Sequence, residues 1–208
     1  MAFCSERQTM TQLLVASSNR GKLQEIAKIL APLNIIGQED YNIRPAEENA
    51  CTFVENALLK ARHASQASGL PALADDSGLV VDALQGAPGI YSARYAGEQA
   101  SDQDNIDKLL NAMQHLDIPQ RSAQFFCAMV LVRFPEDPMP MIACGHIRGH
   151  IQTHSSGSQG FGYDPVFYVD AYQKTMAELG PGIKNRISHR AQALQSLKEG
   201  LKDVTLSD

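Results

Sequence analysis

Leu70-Pro71-Ala72-Leu73-Ala74-Asp75-Asp76-Ser77-Gly78-Leu79-Val80-Val81 is the stretch on which the fold turns. An apolar run leads into two adjacent carboxylates, and a second apolar run resumes after Ser77-Gly78. Neighbouring side chains on a strand point to opposite faces, so two consecutive acids cannot sit unpaired in one core. The pattern predicts a strand over 70–74 that ends in paired acids and a Ser-Gly turn. Such an end suits a hard cation or a polarised water. Taken alone, the stretch fits a surface turn of solvated acids equally well.

Outward from this strand, residues 123–134 are almost unbroken apolar, which predicts a central strand buried on both faces. A turn over 135–140 and a more polar strand over 141–151 predict its antiparallel partner. Toward the N-terminus, Leu13-Leu14-Val15-Ala16 reads as a short strand and 22–31 as a helix, with Leu23, Ile26, Ala27 and Leu30 on one face and Pro32 as its stop. Thr52-Phe53-Val54-Glu55 is a capping box opening a helix that runs to Ser68 and stops at Gly69. Ser101-Asp102-Gln103-Asp104 opens another, with Ile106, Leu109, Leu110 and Met113 inward. A last helix over 188–201 carries Ala191, Leu194 and Leu201 on one side, with Leu197 or Lys198 between them. The order is mixed α/β with a long antiparallel centre, in one domain over 11–205 behind a flexible extension over 1–10.

The chain has 208 residues, a hydrophobic fraction of 44%, a charged fraction of 20% and a formal net charge of −5. These values describe an ordinary globular chain and argue against broad binding to nucleic acid or anionic membrane. No run approaches the roughly 20 apolar residues that span a bilayer, and residues 1–8 lack the apolar centre of a signal peptide. Four dispersed cysteines, without a C-x-x-C pair, predict a reducing, cytoplasmic setting.

Four further stretches carry chemistry. Ser17, Ser18, Asn19, Arg20, Gly21 and Lys22 place hydroxyls, an amide and a point charge between strand and helix, a composition suited to phosphate oxygens, though not the Walker A pattern. Glu47 and Glu48 precede the second helix, and with Asp75 and Asp76 they would complete a carboxylate site for Mg²⁺; Lys60 becomes a phosphate contact if it faces them. Gly157 to Pro165 offers three glycines for close backbone approach, and Phe161 and Tyr163 for stacking a base whose edge Asp164 would meet. Lys184, Arg186, His189 and Arg190 gather before and within the first turn of the last helix, where the dipole disfavours cations, so a bound anion would offset the cost.

These motifs, with Gly86-Ala87-Pro88-Gly89-Ile90-Tyr91-Ser92-Ala93-Arg94-Tyr95 and Ile187-Ser188-His189-Arg190, occur together in an order that resembles the non-canonical purine nucleoside triphosphate pyrophosphatases, the inosine triphosphatase or Ham1-like family. The resemblance covers roughly residues 13–201. It implies a two-lobed α/β fold with a long, curved, mixed central sheet flanked by helices and an active cleft between the lobes. It further implies Mg²⁺-dependent hydrolysis of ITP, dITP and XTP to the monophosphate and pyrophosphate, in a homodimer, for which a hydrophobic surface around residues 88–95 would offer an interface. By position, the loop from Ser17 to Lys22 and Lys60 would grip the triphosphate. Asp76 would hold Mg²⁺ and serve as general base, supported by Asp75 and Lys22. Glu47 is the expected second metal carboxylate and Glu48 its rival. Ser77, Phe161, Gly162, Tyr163, Asp164, Lys184, His189 and Arg190 would bind the nucleotide, with His189, Arg190 and the backbone around Phe161 reading the 6-oxo edge and rejecting an exocyclic amino group. Two positions depart from the family pattern. Gly180-Pro181-Gly182-Ile183 replaces a charged helical approach to Lys184, and Ser18 stands where many members carry Gly. The competing expectations are a pyrophosphatase for modified pyrimidine nucleotides and a catalytically silent nucleotide sensor.

Overall fold

The computed structural model describes residues 11–205, so the expected extension over 1–10 lies outside the described residues. Strands β1 (Gln12–Val15), β2 (Asn34–Gly37), β3 (Ala72–Val81), β4 (Ser122–Val132), β5 (Met141–Ile151), β6 (Phe167–Val169) and β7 (Lys174–Thr175) form one sheet in the order β2-β1-β3-β4-β5-β6-β7. The β1–β2 and β1–β3 pairs are parallel and the remaining pairs antiparallel. Five helices flank it: α1 (Arg20–Ile29), α2 (Phe53–Ser68), α3 (Asp102–Ala112), α4 (Pro181–Ile187) and α5 (His189–Thr205).

The unbroken apolar character of β4 follows from burial on both faces. On one face Ala128, Val130 and Val132 meet Ala57, Ala61 and Ala64 of α2. On the other, Cys127, Met129 and Leu131 meet Ala193, Leu194 and Leu197 of α5, together with Ile26 and Leu30 of α1. Small alanines along α2 let that helix lie close to the sheet. A further core gathers at the other end of the same long strands, where Leu79, Val81 and Phe125 pack with Ile106, Leu109 and Met113 of α3. The acids of β3 lie between Leu73, which belongs to one core, and Leu79, which belongs to the other.

Helix starts follow their caps. The Asn19 side chain accepts from the Lys22 amide at 3.1 Å, so α1 begins two residues before its expected start. Ser101 and Asp104 form the full reciprocal box. At α2, the Thr52 hydroxyl accepts a hydrogen bond from the Glu55 amide, but the Glu55 carboxylate accepts one from that hydroxyl at 2.8 Å instead of reaching the backbone, so only half of the expected box forms. Ser188 caps α5 by accepting from the Ala191 amide at 3.2 Å.

One expectation is overturned. β3 does not end at the acids, and Ser77-Gly78 is not a turn. The ladder to β4 runs without a break through Asp75↔Met129, Asp76↔Ala128, Ser77↔Cys127 and Gly78↔Phe126. The glycine is required for another reason: the turn of 3-10 helix over Gly89–Arg94 crosses directly above it, and a Cβ at 78 would overlap the Gly89 carbonyl and the Ser92 hydroxyl. Strands β2, β6 and β7 and helix α4 had no counterpart among the expected elements. Each has seven residues or fewer, too short to show a period.

Gly145 on β5 plays the same part under α5, where an added Cβ would overlap the His189 carbonyl and the Ala193 amide. Gly145→Ala is therefore expected to cost about 2–3 kcal/mol by overpacking. That lowers the midpoint of thermal unfolding by roughly 5–10 °C in calorimetry. An unchanged midpoint would mean that α5 does not rest on the β5 backbone.

Candidate active site

Asp75 and Asp76 are each only 8% exposed, and consecutive positions on β3 turn them to opposite faces. Asp75 faces α1 and α5. Lys22 Nζ donates to both of its oxygens at 3.0 Å, and Arg190 Nε reaches Oδ2 at 3.5 Å. Asp76 faces α2, where Asn56 and Lys60, four residues apart on one helical face, approach its two oxygens at 3.3 and 3.1 Å. Lys60 Nζ also donates to Glu48 at 2.9 Å, and Arg94 lies 3.9 Å from the other Glu48 oxygen.

These partners move the two acids apart. Burial disfavours the charged form of Asp75, but Lys22, Arg190 and Lys60 outweigh it and hold the carboxyl down at about 2. At Asp76 burial wins: it raises the pKa against the pull of Lys60, and the nearby Glu48 charge adds to the rise. For Lys60, burial lowers the pKa, yet Asp76 and Glu48 together raise it, so the ammonium stays charged.

Two cavities open on either side of this strand segment. One, of about 230 Å³, is bounded by Ser17, Ser18, Lys22, Glu48, Lys60 and Asp75 and extends to Gln38 and His63. The other, of about 390 Å³, is bounded by Ser77, Phe161, Tyr163, Lys184, His189 and Arg190, among others. Asn19, Arg20 and Gly21 are exposed at the start of α1 and line neither cavity.

In the larger cavity His189 stacks on Phe125 with ring centroids 5.0 Å apart and planes 15° apart. Its Nδ1 is buried without a hydrogen-bond partner. Burial and the adjacent Arg190 charge push its pKa down to about 3, so the ring is neutral at pH 7. Arg190 Nη2 donates to Ser77 Oγ at 3.3 Å, linking the acids to this cavity. Asp164 does not present its carboxylate to the cavity alone. It pairs with Lys184 and accepts the Phe161 amide at 3.0 Å, which braces the loop. The Phe161 ring is 61% exposed, with Lys184 Nζ 5.1 Å and Arg190 6.0 Å from its centroid. The unusual run Gly180-Pro181-Gly182 opens α4 with Pro at its start and brings Lys184 onto Asp164.

Glu47 is exposed and does not bound the smaller cavity, whereas Glu48 does and shares Lys60 with Asp76. No three His, Cys, Asp or Glu side chains gather into a metal cage among the described residues. Asp76 lines neither cavity but shares Lys60 with Glu48 at the edge of the smaller one. Two such carboxylates fit Mg²⁺, which takes few protein ligands and completes its shell with water and phosphate. Asn56, fully buried in the middle of α2, was not singled out from the sequence. A poor helix former in an apolar helix face is the signal that marks it.

A mixed α/β fold with paired buried acids between a cation-lined cavity and an aromatic one defines a protein that binds a phosphorylated, ring-bearing small molecule. Comparison with known proteins agrees. Residues 13–200 match the model of the Ham1 family. A Legionella pneumophila protein named dITP/XTP pyrophosphatase is 55% identical over 194 residues, covering 93% of this chain and all of that protein. A Yersinia pestis protein of the same name is 52% identical over 197 residues, covering 94% of this chain and all of that one. The structure of a HAM1 protein from Coxiella burnetii superposes with a TM-score of 0.90 at 46% identity, over 93% of this chain and all of that chain. This chain belongs to the Ham1 family.

Asp75→Asn leaves Lys22 and Arg190 facing a neutral amide. The native carboxyl titrates below the unfolded one, so its contribution is whole above about pH 4 and drains away as the pH falls through about 2. Urea unfolding at pH 7 is therefore expected to show the variant about 2–3 kcal/mol less stable. The gap to the parent protein should narrow steadily from pH 4 downward. A gap independent of pH would contradict the assignment.

Proposed function

We propose that this protein hydrolyses the non-canonical purine nucleoside triphosphates ITP, dITP and XTP to the nucleoside monophosphate and pyrophosphate. The observation that carries the reading is a pair of cavities on one stretch of strand, one bounded by Asp75 with Lys22, Lys60 and hydroxyls, the other bounded by Ser77, two residues along, with an aromatic ring, a neutral imidazole and a guanidinium. Relatives more than half identical over their whole length bear the matching name. A silent nucleotide sensor would have little use for two buried acids whose pKa values are driven in opposite directions.

In this reading the triphosphate lies along the Ser17–Lys22 loop, with Lys22 and Lys60 neutralising charge that builds on the leaving pyrophosphate. The oxygen of a water bonds to the α-phosphorus as the bond from that phosphorus to the α,β-bridging oxygen breaks. Asp76, the weaker acid of the pair, accepts the water proton, and Asp75 stays ionised to hold Lys22 and Arg190 in place. Mg²⁺ would be held by Asp76 with Glu48, the member of the Glu47-Glu48 pair that bounds the cavity, and would supply charge neutralisation on the phosphate oxygens.

At the base, Arg190 can only donate, and neutral His189 can donate from the unpartnered Nδ1. Two donors favour a 6-oxo group and leave a 6-amino group unmatched, which disfavours ATP. GTP shares the 6-oxo group, so its exclusion falls to the fit of the cavity around purine C2. Phe161 supplies the stacking face. The unpaired Cys51, Cys127 and Cys144 accord with a reducing, cytoplasmic setting. A homodimer is also part of the reading, with Tyr91, 56% exposed on the turn at Gly89–Arg94, at its interface.

Pyrophosphate release from ITP, dITP, XTP, ATP, GTP, CTP and dTTP tests the reading directly. Release should be confined to the first three, require Mg²⁺, and fall about a thousandfold in kcat for Asp76→Asn. Release from pyrimidine nucleotides alone, or binding of ITP without release, would displace the reading. His189→Ala should raise KM for ITP about tenfold while leaving kcat within about twofold, since it removes one hydrogen bond to the base and no reacting group. An unchanged KM removes His189 from the base site.

A further inference from the structure

The loop that carries Phe161 is tied down from three directions. Its own Asp164 accepts the Phe161 amide and pairs with Lys184 on α4. The Tyr163 hydroxyl donates to the Ser92 carbonyl at 2.9 Å, across 71 residues of sequence. The third tie comes from a residue assigned so far only to the cap of a helix. Asp102, the first residue of α3, accepts the Gly162 amide on Oδ2 at 2.6 Å, across 60 residues. Its carboxylate forms no ion pair among the described residues, and it stands at the wall of the larger cavity.

Asp102 sits on a firm base. One turn along α3, buried Asn105 accepts the Ala96 amide at 2.7 Å and donates to the Ala93 carbonyl at 3.2 Å, fixing the helix to the end of the Gly89–Arg94 turn and the residues just after it. That turn is joined to β3 by Ser92, whose hydroxyl accepts the Leu79 amide at 2.8 Å and donates to the Gly89 carbonyl at 2.6 Å. Leu79 is three residues beyond Asp76 on the same strand. Hydrogen bonds joined by short backbone segments therefore lead from β3 to Gly162, and Asp102 makes the last of them.

Gly162 adopts φ +57, and it lies between the exposed ring of Phe161 and the buried ring of Tyr163. Without a partner for its amide, a glycine in this region has many conformations open to it, and the Phe161 ring would swing with it. The Phe161 ring is the stacking face of the base cavity, so its placement sets how much of the purine's contact is ready before binding.

We propose that Asp102 is a positioning residue for the purine: by holding the Gly162 amide it keeps Phe161 at the mouth of the base cavity, and so sets affinity for the base without touching the phosphates. The proposal rests on the nucleotide reading above for its substrate and on the Asp102–Gly162 contact for its mechanism. A purely local role, an acid favouring the N-terminus of α3, would depend on the charge of Asp102 and would leave the base site unmoved.

Two variants and two readouts separate these. Asp102→Ala removes the acceptor, and Asp102→Asn removes the charge but keeps an acceptor oxygen. In steady-state pyrophosphate release from ITP, Asp102→Ala is expected to raise KM about tenfold with kcat within about twofold of the parent enzyme, and Asp102→Asn to restore KM to within about twofold. In amide hydrogen exchange of the ligand-free protein, the peptide spanning Phe161 to Tyr163 should exchange faster in Asp102→Ala and at the parent rate in Asp102→Asn. Unchanged KM and exchange in Asp102→Ala, or an Asn variant as impaired as the Ala variant, would overturn the proposal. If the parent enzyme releases no pyrophosphate from ITP, the substrate reading fails, while the exchange rates still report on the tie.

Discussion

Two carboxylates in consecutive positions of a buried strand impose a constraint that much of the molecule is arranged to satisfy. The pleat sends Asp75 and Asp76 to opposite faces, so each needs its own hydrogen-bonded cation, and leaving either charge unpaired would be costly. Each layer of helices therefore has to deliver its own partners. Lys22 from α1 and Arg190 from α5 reach Asp75 on one face, and Asn56 and Lys60 from α2 reach Asp76 on the other. The acids fall where one apolar core gives way to the next along β3, with Leu73 behind them and Leu79 ahead. A polar gap between two cores is where a cleft can open without exposing either.

The same constraint divides the labour between the acids. Equal solvation would leave two aspartates with similar acidities and no reason to act differently. Here Asp75 meets two cations on its own face and is held down at about 2, whereas Asp76 must share Lys60 with Glu48 and is pushed upward by burial. In the proposed reaction this separation carries the acid–base assignment, the more basic member, Asp76, taking the proton. Asp75 then serves as a fixed charge that orders Lys22 and Arg190, and through Arg190 the hydroxyl of Ser77.

Much of this was legible before any coordinates. Long periodic segments with caps, such as those opened by Thr52 and Ser101, emerged as helices where expected, because caps and apolar spacing act locally. The apolar run around Cys127 announced a strand covered on both sides. What escaped depended on contacts distant in sequence. Ser77-Gly78 has the composition of a turn, yet it is strand, because the glycine makes room for a backbone segment more than ten residues away. The choice between Glu47 and Glu48 turns on which side chain reaches Lys60, which adjacent identical residues cannot disclose. Asp102 was read as part of a helix cap, and its amide partner sixty residues later left no mark in its local sequence.

The distribution of rigidity over the site follows from these contacts. Asp75, Asp76 and Ser77 stand on a strand paired along its whole length, with Gly78 beneath a crossing turn and, one strand beyond β4, Gly145 beneath α5, so close packing leaves the reacting groups little room to shift. Phe161 and Gly162 stand on a loop held by a few hydrogen bonds between side chain and backbone. Chemistry at a phosphorus tolerates little misplacement, whereas a stacking face can adjust over a larger range and still contact a ring. On the proposed reading, the ties of one loop govern which bases are admitted, and they can change without any change to the strand that carries Asp75 and Asp76.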